Sequence, residues 1–131
     1  GCGIGLSLPT GIRADVINSL FSNNAISDVN IENGLTTGGS ASIDYSLVGA
    51  ITGNLAPIIT NPVSGDPGFV DAVGGDFHLR DNSALINRGL GVPPYYAFNS
   101  FDIDGNPRVR SAALDVGAYE NQNMMFGNGF E

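Results

Sequence analysis

The chain has no lysine and no tryptophan, one cysteine (Cys2) and one histidine (His78). Without lysine there is no Schiff-base chemistry, no P-loop lysine and no protein-kinase lysine. One cysteine cannot close an internal disulfide, and one Cys with one His cannot complete a closed zinc site of such ligands. Charge is sparse and of one sign. Five Arg stand against thirteen Asp and Glu, for a net charge of -8 and a pI near 4.2. Charged residues make up 14% of the chain, against roughly 25% in a typical soluble domain. This balance argues against nucleic acid and against anionic membrane surfaces as partners. No run approaches the ~18 apolar residues of a membrane span.

What is present suits a folded, turn-rich chain. The 131 residues are enough for one domain of ordinary size. Gly (19) and Asn (14) are abundant, and 42% of residues are hydrophobic, so the chain is not a disordered acidic tail. Turn residues punctuate it: Asn23-Asn24, Asn33-Gly34, Gly38-Gly39-Ser40, Gly53-Asn54, Gly74-Gly75, Asp81-Asn82-Ser83. Between them lie short apolar runs of strand length at 14–21, 28–32, 41–48, 68–71, 76–79 and 114–119. In the second, Val29 and Ile31 alternate with polar residues. In the third, Ile43, Tyr45 and Leu47 do the same, the period of a half-buried strand. The run at 14–21 also suits one helix face through Val16, Ile17, Leu20 and Phe21. Its β-branched and small polar residues favour a strand.

A shift of 27 residues lays Val16, Asn18, Ser19 and Leu20 on Ile43, Tyr45, Ser46 and Leu47, and a second shift takes Ile43 to Val70. Self-similarity at such a period is the signature of a solenoid. The expected fold is therefore all-β: the last coils of a parallel β-helix over residues 1–60. From about Asn61 turns with Pro predominate, and 61–120 reads as an irregular carboxyl-terminal cap, with 121–131 a mobile tail. Within the cap, 82–89 reads as one helical turn, capped by Ser83 or Asn82 and ended by Gly89. The opening Gly-Cys-Gly-Ile-Gly reads as mid-structure, which predicts a carboxyl-terminal piece of something longer. A cut coil edge near 14–21 would then recruit other chains.

Several segments, in order, carry a resemblance: "NSLFSNN" (18–24), "ASIDYSLV" (41–48), "DPGFVDAVGGDFHLRDNSALINRG" (66–89), "DIDGNPR" (102–108) and "DVGAYE" (115–120). Over 14–120 the chain resembles the carboxyl-terminal end of bacterial right-handed parallel β-helix proteins of the choice-of-anchor Q domain type. These are similar to the pectin-lyase-like superfamily. It departs from their pattern at Gly68, Ala84 and Asn87, where Leu, Pro and Asp are usual. The ending "MFGNGFE" is similar to terminal tails of secreted Gram-negative proteins. The resemblance implies a secreted or cell-surface protein. It also implies an adhesin-like, non-catalytic end segment or, alternatively, the end piece of a polysaccharide lyase or hydrolase whose groove lies upstream. The implied partners are upstream coils of the parent chain and polysaccharide, with no cofactor.

The candidate chemistry is thin. Asp102 and Asp104 lie in Asp102-Ile103-Asp104-Gly105-Asn106-Pro107, which reads as a turn. They are also the calcium candidates, although the spacing does not match an EF-hand loop. Arg80, Arg88, Arg108 and Arg110 are the cations a lyase would need, but Arg108 reads as a partner for Asp102, Asp104 or Asp115. Ser19, Ser46 and Ser83 lack a nucleophile-elbow context. His78, between Phe77 and Leu79, should point away from whatever those two bury. Tyr95-Tyr96 after Pro93-Pro94 is the candidate glycan-binding pair, since aromatic faces stack on sugar rings and loops carry binding.

Overall fold

A computed structural model describes residues 2–91, 101–108 and 113–123. The chain is all-β and divides into two compact units, Gly1–Val63 and Ser64–Glu131. The strands make four separate sheets, none closed into a barrel among the described residues.

The first unit holds β1 (Cys2–Leu8), β2 (Arg13–Ile17), β3 (Leu20–Phe21), β4 (Ser27–Asn33), β5 (Ser40–Asp44), β6 (Leu47–Val48), β7 (Ile51–Thr52) and β8 (Ile58–Thr60). All pairings are parallel. The sheets run β1-β4-β7, β2-β5-β8 and β3-β6, so each strand meets its counterpart one circuit later. The register puts like on like. Ile4 pairs with Val29 and Val29 with Ile51, Leu6 pairs with Ile31, and Val16, Ile43 and Ile59 form a second column. Leu20 lies beside Leu47. Alternation in each strand directs these side chains to one face. Leu8, Val29, Ile31 and Ala41 close the core, with Ile31 and Val29 fully buried.

The expected 27-residue shift holds between β2 and β5: Val16 pairs with Ile43. The second shift does not. Ile43 pairs with Ile59, sixteen residues on, and Val70 lies instead in the antiparallel hairpin of the second unit. The circuit shortens in two places: between β6 and β7, since Leu20 pairs with Leu47 but Val29 already with Ile51, and again after Gly53, whose φ is 107° and whose absent Cβ would run into the Ile31 backbone. Leu55 N–H then takes the Ile31 carbonyl (3.1 Å). The Asn54 side chain accepts the Asn33 amide (2.7 Å).

One corner recurs in every circuit. Asn18, Tyr45 and Asn61 follow β2, β5 and β8 and have φ of 51°, 46° and 43°. This left-handed kink splits the predicted runs 14–21 and 41–48 into two strands each. Asn tolerates it well and Tyr less so. Ser19 and Ser46 repeat the same contact, each hydroxyl donating to the carbonyl two residues back (2.8 Å in both). The backbone steps through the stack, Leu47 N–H to Ser19 and Val63 N–H to Ser46.

The second unit holds β9 (Phe69–Asp71) and β10 (Asp76–Leu79), an antiparallel hairpin. Phe69 and Phe77 meet edge to face at 5.2 Å. Its core is Leu79, Leu85, Leu114 and Val116, held by backbone bonds from Val116 to Leu85 and from Gly89 to Leu114. The run 114–119, expected as a strand, is irregular, with bends at 116–118. The 82–89 segment forms turns, not a helix. The Ser83 hydroxyl accepts the Leu85 amide (3.1 Å) as a cap, and Asn87 at φ 54°, not Gly89, ends the turns. Gly68, where the resembled family carries Leu, has φ 63°, and its absent Cβ would sit 3.0 Å from Ser83 Cα. The expected tail does not start at Asn121. That residue is buried and donates to the Leu79 carbonyl (2.9 Å) and to Asp81 (3.2 Å).

Candidate functional site

The strongest concentration of polar chemistry lies in the second unit, in two connected layers. The inner layer is made of buried carboxylates. Asp102 Oδ1 accepts the amides of Asp104 (3.0 Å) and Asn106 (2.8 Å), and Oδ2 accepts that of Glu120 (3.3 Å). Asp115 accepts the amides of Asn87 (2.8 Å) and Asn121 (2.7 Å), one on each oxygen. Glu120 accepts the Asp115 amide (3.1 Å). Each carboxylate thus replaces a strand ladder as the partner for irregular backbone, which must be satisfied when buried.

Among the described residues Arg108 does not pair with a carboxylate by hydrogen bond. Its guanidinium donates to the carbonyls of Asp115 (3.2 Å) and Gly117 (2.8 Å), and its charge acts on Asp115 and Glu120 through space. That charge does not offset burial. Desolvation raises Asp115 above the ordinary carboxylate range, although the Asn121 and Asn87 amides oppose it. Desolvation, with the Asp115 and Asp102 charges, pushes Glu120 up to about 7.

The outer layer is centred on His78. On β10, Asp76 and His78 are two residues apart and share a face. His78 Nδ1 lies 2.5 Å from Asp76 Oδ1, and Nε2 lies 2.6 Å from Asp104 Oδ2. The Tyr119 ring rests against the imidazole at 4.2 Å between centroids. Hydrogen bonds to Asp76 and Asp104 raise the His78 pKa above its ordinary value, and the bond to His78 lowers that of Asp76. All three side chains are about half exposed.

The sequence-predicted residues divide as follows. Asp102 and Asp104 lie in a turn as expected, closed by Gly105 at φ 83° and by Gly105 N–H to the Asp102 carbonyl. As calcium candidates they do not converge: Asp102 faces backbone amides and Asp104 faces His78. No cluster of three or more metal-ligating side chains occurs among the described residues. Tyr95, Tyr96 and Arg110 lie outside the described residues. His78 was expected to point away from whatever Phe77 and Leu79 bury; Leu79 is buried but Phe77 is exposed, and His78 bridges two carboxylates. Asp76, at i-2 on a strand, was the readable signal for half of that bridge. Asp104, 26 residues away, had none.

The first unit has one comparable group. Asp28, buried on β4, accepts the Asn24 amide (3.1 Å) and side chain (2.8 Å) on Oδ1, and the Ala50 amide (2.8 Å) on Oδ2. Burial opposes its charge, but these bonds outweigh it and hold the carboxyl below the ordinary range. Beside it, the fully buried Ser27 Oγ has no hydrogen-bond partner among the described residues. No helix among the described residues is long and apolar enough to cross a membrane. Comparison with family models, curated proteins and solved structures returns no match.

Proposed function

We propose that the chain is a non-catalytic end segment of a right-handed parallel β-helix, a structural or surface-binding module of a secreted or cell-surface bacterial protein. The reading rests on the stacked register of the first unit. Like residues form columns through successive circuits, with a left-handed corner at the same place in each. Returning parallel connections of this kind are right-handed in about 98% of cases. The use of Asp102, Asp115 and Glu120 as partners for backbone amides supports a scaffolding role for the second unit. The outer edges of β1, β2 and β3 have no strand beside them among the described residues. Such edges pair with further coils or with other chains. Polysaccharide is the proposed surface ligand, with Tyr95 and Tyr96 as its contacts. Absorbance of unsaturated product from acidic polysaccharides, with light scattering on the same sample, tests the reading. It predicts no turnover and concentration-dependent association. Turnover that survives purification to homogeneity would overturn it in favour of a polysaccharide-active enzyme.

A further inference from the structure

We propose that His78 is a protonation-dependent clasp, which fastens the β9–β10 hairpin to the turn at residues 101–107 while both ring nitrogens carry protons and releases that turn when one is lost. The geometry requires this protonation state. A carboxylate oxygen lies within 2.6 Å of each ring nitrogen, and a carboxylate only accepts. Neutral imidazole has one N–H, so its second nitrogen would set a lone pair against a carboxylate.

The order of release also follows from the contacts. Asp76 Oδ1 receives the His78 backbone amide (3.1 Å) as well as Nδ1. That local bond keeps Asp76 in place and favours retention of the Nδ1 proton. Asp104 reaches Nε2 from a distant segment, and its carboxylate is the one set free. The other charged groups around the ring do not replace the clasp. Asp71 pairs with Asp76 across the hairpin and adds negative charge. Arg80 spends its guanidinium on the Val70 carbonyl (2.6 Å). Asp102 is satisfied by backbone amides, and Tyr119 offers a ring face. Glu120, next to Tyr119, is also raised by burial, up to about 7, and must be separated by mutation.

The chain has a single histidine, so long-range proton–nitrogen NMR across pH 5 to 9 reports His78 alone. The expected midpoint lies above the ordinary ~6.5, with an Nδ1–H tautomer above it. Asp104→Asn should lower the midpoint. Hydrogen exchange at the Asp104 and Gly105 amides, corrected for intrinsic rate, should accelerate several-fold across the same midpoint. That step should persist in Glu120→Gln and vanish in His78→Gln. A midpoint at or below 6.5, an Nε2–H tautomer at high pH, or exchange that ignores the midpoint would overturn the clasp.

Discussion

Replacing Glu120 by Gln should make the protein more stable at pH 8 and leave it nearly unchanged at pH 4.5. Glu120 is buried, 5% exposed, with carboxylates around it. Its pKa rises from 4.5 in the unfolded chain to about 7 in the folded one. A raised value means that the folded state holds its proton more tightly. The stabilisation is therefore complete below 4.5, falls as pH rises, and is gone once pH has passed about 7. A gap of that size corresponds to about 3 kcal/mol. Gln cannot ionise, and its carbonyl still accepts the Asp115 amide that Glu120 accepts at 3.1 Å. The variant should escape the loss and melt about 10 °C above the parent at pH 8. His78, also raised, has the same sign: its contribution is whole below 6.5 and lost as pH climbs through its folded value. The variant should therefore keep a smaller alkaline decline. Thermal unfolding followed by circular dichroism at half-unit steps from pH 5 to 8 measures both. A parent melting temperature that does not change over this range, or a variant that keeps the parent's full slope, would refute the reasoning.

The first unit should respond to pH in the opposite sense. Asp28 is held below 3.8, so its contribution is whole above that value and lost as pH falls through its folded one. Hydrogen exchange in β4 at pH 2 to 5 reports this loss. Asp28→Ala leaves the Asn24 and Ala50 amides without their acceptor and should cost about 2 to 3 kcal/mol in denaturant unfolding. Ser27→Ala removes a buried hydroxyl without a partner. It should be neutral or stabilising by up to about 1 kcal/mol in the same assay. Ile31→Ala empties the centre of the core column and should cost about 3 to 4 kcal/mol, read as a lowered midpoint.

Much of the first unit was legible because its residues obey a period of two. Val29 and Ile31 place β4; the alternation of Ile43, Tyr45 and Leu47 finds β5 and β6 but runs through the left-handed corner at Tyr45 that separates them. The strand expected at 76–79 coincides with β10, although a register shift between Asp76 and Leu79 interrupts its period. β1 was missed although Ile4, Leu6 and Leu8 alternate with Gly5 and Ser7, because the glycines at 3 and 5 weaken the strand signal and leave Ser7 as its one polar residue. β7 and β8 are too short for any period to show. The 27-residue shift was visible where two circuits have equal length. It failed at the third, which is shortened both between β6 and β7 and after Gly53. In the second unit the sequence shows turns but not their partners. Asp102, Asp115 and Glu120 read as ordinary acidic residues, because burial against a backbone amide is a property of the folded neighbourhood. The His78 bridge was half legible, through Asp76, and half dependent on a loop 26 residues away.

The stacked register of the first unit is most directly tested by methyl–methyl nuclear Overhauser contacts on a chain labelled at Val, Leu and Ile. The account predicts contacts Val16–Ile43 and Ile43–Ile59, together with Ile4–Val29 and Val29–Ile51. Their absence, or a contact between Ile43 and Val70 in place of Ile43–Ile59, would contradict it.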